Sequence, residues 1–135
     1  MKLTLPITTL ALYIFVPAVS VAAEPPEDIV KVFRTLAETL AEQDAGLFLE
    51  QFDPAMPGLA QLREDVETLL ARGYVVSTLE FESDTGDAAK REVEVDWVWH
   101  LSGQASHRVL LKCTLVRSGK AWKIVALSPT GFLRP

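Results

Sequence analysis

Arg91-Glu92-Val93-Glu94-Val95-Asp96-Trp97-Val98-Trp99-His100-Leu101 alternates apolar and polar side chains more regularly than any other part of this 135-residue chain. From Val93 onward the odd positions carry Val93, Val95, Trp97, Trp99 and Leu101, and the even ones Glu94, Asp96 and His100, with Val98 the one exception. In extended backbone, successive side chains point to opposite faces, so this period of two predicts a strand with one face in a core. Three further runs fit the same reading: Tyr74 to Glu82, His107 to Arg117, and Ala121 to Ser128. The central strand itself runs from Lys90 to Leu101. Between them lie Asp84-Thr85-Gly86-Asp87, Ser102-Gly103-Gln104-Ala105-Ser106 and Ser118-Gly119, residues that tolerate turn dihedrals. Links this short make neighbouring strands antiparallel.

A hairpin centred on Gln104 sets Trp97 against Leu111, Trp99 against Val109, Val95 against Cys113 and Val93 against Leu115, all apolar pairs. On the other side it sets Asp96 against Lys112, Glu94 against Thr114, His100 against Arg108 and Val98 against Leu110. A slip of one residue would send each strand's apolar set to the wrong face. Pivoting on Ser118-Gly119 extends the inner face with Trp122, Ile124 and Ala126. The outer face then carries an apolar row of Val98, Leu110 and Leu127, with Val125 beside it. A contiguous apolar patch on a charged sheet marks a contact site. Val98, Leu110, Val125 and Leu127 are therefore the expected partner face, and a homodimer through it is the expected assembly.

Upstream of the strands, apolar residues recur at helical spacing. Ile29, Val32, Phe33, Leu36 and Leu40 share one face of a first helix, with Glu27 and Asp28 in the first turn, where the helix dipole favours acids. Asp44 caps a short second helix, Ala45 to Phe52, which Asp53-Pro54 ends. A third helix from Leu59 to Arg72 carries Leu62, Val66, Leu69 and Leu70, with Gly73 as its end. Three amphipathic helices followed by four strands predict an α+β fold: N-terminal helices packed on a curved antiparallel sheet, a cone-shaped roll.

Met1-Lys2, an uncharged run from Leu3 to Val21, and Val21-Ala22-Ala23 have the form of a secretory leader cut after Ala23. Residues 1–23 are accordingly expected to be removed, 24–27 to be a linker and 28–135 the domain, placed in the periplasm or outside the cell. Retained, the leader would be the chain's one membrane contact. Loss of Lys2 leaves 12 basic against 18 acidic residues, a charge of −6. That argues against nucleic acid, whose phosphates call for a basic face. Cys113 is the single cysteine, so no intrachain disulfide forms and the core must supply the stability.

Ala41-Glu42-Gln43-Asp44-Ala45-Gly46-Leu47-Phe48 at the first helix junction and Gly119-Lys120-Ala121-Trp122-Lys123-Ile124 at the last hairpin resemble the nuclear transport factor 2-like superfamily, over roughly residues 28–135. The resemblance implies a cone, commonly dimeric, with a pocket between helices and sheet. It also admits small-molecule isomerases, dehydratases and cyclases alongside members without chemistry. Two departures stand out. The segment from Asp53 to Gly58 is too short for the strand pair usual between the second and third helices, and no carboxylate falls on the inward positions of the central strands.

The residues offer little chemistry of their own. Asp96 and His100 share a face, but four residues along a strand is roughly 13 Å, too far for a hydrogen bond. His100 and His107 could approach across the hairpin end, yet without a carboxylate or cysteine beside them they make no convincing metal site. Cys113, inward among apolar neighbours, is expected to be protonated and inert. If a small apolar ligand enters, Trp97, Trp99, Phe81, Leu111 and Cys113 would line its pocket. No cofactor and no metal is expected. The function expected is a non-catalytic exported domain that binds a small apolar ligand or a protein partner. The alternatives are an isomerase, dehydratase or cyclase drawing its acid or base from Asp44, Glu50 or Asp53, and a cystatin-like inhibitor, which would want a glycine near the mature N-terminus that Glu24-Pro25-Pro26-Glu27 does not supply.

Overall fold

The structure, a computed structural model, describes residues 25–135; the leader expected over 1–23 lies outside the described residues. Its elements are α1 (Glu27–Ala41), α2 (Ala45–Leu49), α3 (Leu59–Leu70), β1 (Val75–Gly86), β2 (Lys90–Leu101), β3 (His107–Ser118) and β4 (Ala121–Ser128). The strands form one antiparallel sheet in the order β1-β2-β3-β4. This is the α+β arrangement of helices on a four-stranded sheet that the alternation predicts. Among the described residues no helix is long and apolar enough to cross a membrane.

Local chemistry sets the helix ends. Pro26 precedes α1 and its carbonyl accepts from the amides of Ile29 and Val30. After α1 the chain turns at Gln43, which takes a left-handed φ of 59°. The Asp44 amide there reaches back to the Thr39 carbonyl at 2.8 Å, which satisfies one of the helix's end carbonyls. The Gln43 amide side chain donates to the Leu70 carbonyl at 2.8 Å and so ties the ends of α1 and α3 together. Asp44 caps α2 by accepting from the Leu47 amide at 3.0 Å. That helix stops at Leu49, short of the expected Phe52, and α3 stops at Leu70 rather than Arg72. Past α2 the chain touches the free edge of β4 at one bridge, Phe52 to Ile124, where the Ile124 amide donates to Gln51 and its carbonyl accepts from Asp53. Between α2 and α3 no strand of greater length forms among the described residues, as the short connection requires.

The two faces of β2 are sorted as its alternation dictates. Val93, Val95, Trp97, Trp99 and Leu101 are buried beneath the helices, and the intervening residues are only partly covered. The pairing differs from the expected one. Trp97 lies opposite Val109, Val95 opposite Leu111, Val93 opposite Cys113 and Asp96 opposite Leu110, a slip of two residues along β3. The cause is the turn. The Gln104 amide donates to the Leu101 carbonyl at 2.8 Å and Gly103 sits at φ 78°, a conformation that suits glycine. The chain thus reverses at Ser102-Gly103, ahead of Gln104. Because two is a whole period, the slip keeps every side chain on its expected face.

Two one-residue bulges do change faces. Glu82 has no partner between Phe81 and Ser83, and Val125 none between Ile124 and Ala126. Beyond each bulge the parity reverses. Leu127 therefore turns inward, 8% exposed, in place of Ala126, which is exposed. β1 also runs on to Gly86, past the expected end at Glu82.

The core unites Ile29, Phe33 and Leu36 of α1, Phe48 of α2 and Leu62 and Val66 of α3 with the inner face of the sheet. After β4 the chain folds back over that face, burying Phe132 and Leu133. Burying two such side chains is worth roughly 1.5–3 kcal/mol each.

Candidate functional site

The inner face is where a small-molecule pocket was expected, and it is packed. Trp97, Trp99, Leu111 and Cys113 are each at most 2% exposed, while Phe81 is partly buried with its ring edge-on to Phe33 at 5.6 Å. The Phe132 ring lies 5.4 Å from that of Trp97, and the Trp99 indole donates to the Phe132 carbonyl at 3.0 Å. His107, the cross-strand neighbour of Trp99 on β3, stacks on its ring, with centroids 4.5 Å apart. Thr39 is the buried polar residue of the core, and its hydroxyl is spent on the Leu36 carbonyl at 2.9 Å. Among the described residues two buried side-chain polar atoms have no partner, the Trp97 indole nitrogen and the Ser77 hydroxyl.

Cys113 sits in this core with its thiol pushed up to about 12 by burial. A thiol so protonated and covered is a poor nucleophile. A thiol-reactive dye at mildly alkaline pH should therefore leave the folded chain unlabelled and label it stoichiometrically in denaturant. Labelling of the native chain at the rate of a free thiol would contradict this packing.

One inward carboxylate escaped the alternation. Beyond the Glu82 bulge, Asp84 pairs with Val93 on the inner side, its side chain only 4% exposed. It is held by Arg91 in a two-pronged contact, Nε to Oδ1 at 2.8 Å and Nη2 to Oδ2 at 2.9 Å, and Arg91 also donates to the Asp87 carbonyl at 3.0 Å. The Arg91 guanidinium is held above its usual range, chiefly by its hydrogen bonds to Asp84. A carboxylate gripped this way is an anchor for the end of the sheet, with both oxygens engaged. The sequence signal for it was an aspartate seven places before an arginine across the first hairpin, hidden by the extra residue.

Of the three acids expected as catalytic alternatives, two serve as structure and one faces solvent. Asp44 caps α2, and Asp53 accepts from the Ala55 amide at 2.7 Å in the turn leading to α3. Glu50 is exposed at the C-terminal cap of α2. The two histidines do not converge: His107 packs on inward Trp99, whereas His100 sits on the opposite side of β2. The expected pairing of Asp96 with Lys112 also gives way. With the register moved, Arg108 clasps Asp96 through two hydrogen bonds, 3.0 and 2.6 Å, and Lys112 faces Glu94 at 3.8 Å.

The outer face is consequently less apolar and more charged than expected. Val98 lies opposite Arg108, Leu110 opposite Asp96, and Leu127 is inside, so the predicted row of Val98, Leu110 and Leu127 is broken. Leu110 remains 46% exposed, and Val98 and Val125 are half-buried. A concavity of about 510 Å³ opens on this face, lined by Glu80, Glu82, Glu94, Asp96, Arg108 and Leu110. Carboxylate oxygens of Glu80, Glu82 and Asp96 lie within 4.8 Å of one another. Arg108 already neutralises Asp96 and, through its hydrogen bond, holds that carboxyl below its ordinary range. The charge left over is that of Glu80 and Glu82. Acids thus gather on β1 and β2 and the bases Arg108 and Lys112 on β3, while Lys123 of β4 turns its ammonium to the Glu50 carbonyl at the end of α2.

No family model and no curated protein matches the sequence. Solved structures do match the fold. The Bd1075 protein of Bdellovibrio bacteriovorus aligns at a TM-score of 0.66 and 13% identity, over 76% of this chain and 38% of its own, so this chain spans well under half of that protein. An NTF-2 like protein of unknown function from Shewanella oneidensis MR-1 aligns at 0.61 and 11% identity, over 75% of this chain and 94% of that one. A Nostoc punctiforme PCC 73102 protein of unknown function, described as having a cystatin-like fold, aligns at 0.61 and 12%, over 75% and 86%. At such identities the likeness establishes the architecture, which is that of the nuclear transport factor 2-like fold.

Proposed function

We propose that this chain, as a divergent member of the nuclear transport factor 2-like fold, is an exported, non-catalytic binding domain that meets a protein partner on the outer face of its sheet. The observation that carries the reading is the interior. Where this fold can hold a substrate, the space is taken by Trp97, Trp99, Phe33 and Phe132, and the inward carboxylate, Asp84, has both oxygens on Arg91. General acid or base work needs an ionisable group within reach of a bound molecule. The export half of the reading rests on the leader-like first 23 residues.

The partner that this face fits is a second copy. A two-fold axis lying in the interface and parallel to the strands places the acidic β1–β2 half of one protomer over the β3–β4 half of its partner, which carries Arg108 and Lys112, with Leu110 near the centre. An axis across the strands would oppose Glu80 and Glu82 to themselves, and like charges in register repel. Sedimentation velocity should accordingly find a dimer at micromolar concentrations that weakens as salt is raised. Leu110→Glu should return it to a monomer with unchanged circular dichroism. A monomer at high micromolar concentration in low salt would overturn the assignment of this face.

A further inference from the structure

We infer that residues 129–135 are a resident peptide, folded as a turn, in a groove between α3 and the inner face of the sheet, and that the groove takes a partner's turn-forming segment of the same order: aromatic, aliphatic, basic. The inference is independent of the outer-face reading. Three contacts define the groove. The Phe132 ring lies against Trp97, Leu133 is 1% exposed, and Arg134 reaches Asp65 of α3 with Nε to Oδ2 at 2.9 Å. The Trp99 indole reads the Phe132 carbonyl at 3.0 Å, as a binding site reads a peptide backbone.

Two further observations say that this occupant can be exchanged. Among the described residues, the backbone hydrogen bond of this segment joins Arg134 to Gly131, inside the segment itself, so lifting it breaks no ladder to the described body of the domain. The resident also fits its groove incompletely. Trp97, fully buried against Phe132, keeps an indole N–H with no acceptor. A buried donor left unpaired is costly, so a segment that places a carbonyl on Trp97 as well as on Trp99 binds better than the resident does. Asp65, whose side chain is 9% exposed, supplies the preference for a basic residue, with Gln61 also donating to it at 3.0 Å.

The test uses a fluorescein-labelled peptide with the sequence of residues 129–135, followed by anisotropy. It is titrated into the full chain and into the full chain carrying Arg134→Glu, which sets the resident against Asp65 and leaves the groove untouched. The peptide is expected to bind the variant roughly tenfold more tightly than the unaltered chain. Trp99→Phe in the variant background should weaken it again by roughly tenfold. A peptide with alanine in place of its Phe and Leu should not bind. Arg134→Ala, which removes the ion pair alone, carries the same comparison should Arg134→Glu fail to fold. The proposal is overturned if the variant has native circular dichroism and binds the peptide no better than the unaltered chain, or if the alanine peptide binds equally well.

Discussion

Trp97→Ala is expected to destabilise the domain by about 3–5 kcal/mol, the usual cost of emptying a large aromatic site in a close-packed core. Trp97 is fully buried, packed between Leu79 and Val109 on the neighbouring strands and against the Phe132 ring. Native domains are stable by only about 5–15 kcal/mol in total, so this one change removes a large share. In thermal unfolding it should appear as a fall on the order of 15 °C or more. Val98, the next residue, points the other way and is half-buried. Val98→Ala should cost roughly 1 kcal/mol or less. Trp97→Phe should cost less than the alanine change, because it keeps most of the ring and removes an indole N–H that has no acceptor. Urea melts of the three variants measure this directly. Equal losses at 97 and 98 would contradict the assignment of faces on which the fold depends.

Asp84→Ala is expected to cost about 3 kcal/mol, because it strands the Arg91 guanidinium with the Asp87 carbonyl as its remaining hydrogen-bond partner. The Arg91 side chain is 17% exposed and cannot recover full hydration without moving out of the sheet. Replacing both members, Asp84→Leu with Arg91→Met, should restore most of the loss, since apolar groups of similar volume dispense with the desolvation of two charges. A double-mutant cycle separates these terms. A double variant as unstable as Asp84→Ala would mean that the loss comes from packing at the bulge and not from the ion pair.

The central strand and the last one were legible to the residue, Lys90–Leu101 and Ala121–Ser128, because alternation between apolar and polar residues is a local property. The helices were legible for the same reason at their own period, with α2 and α3 shorter than expected. The register of the β2–β3 hairpin was not legible. It depends on which residue of the loop takes the left-handed conformation, and Gly103 did so where the centre of the loop suggested Gln104. The candidate sites suffered more. Leu127 left the outer face and Asp84 joined the inner one because of a single unpaired residue in each strand, and no pattern along one strand announces a bulge that the neighbouring strand imposes. The expected pocket of Trp97, Trp99, Phe81, Leu111 and Cys113 became core because Phe132 and Leu133 came to cover it. Two apolar residues in a tail of Pro, Thr, Gly and Arg carry no period to read.

The sequence by itself determined which side of β2 each side chain occupies, for the stereochemistry of extended backbone sends neighbours to opposite faces whatever the rest of the chain does. It determined as well that three helices precede the sheet and cover one side of it. Only the tertiary structure decided the slip of two residues, the two bulges and the return of the tail over the tryptophans. Each of these is a choice between alternatives nearly equal in local energy, and contacts between residues far apart in the chain make the difference.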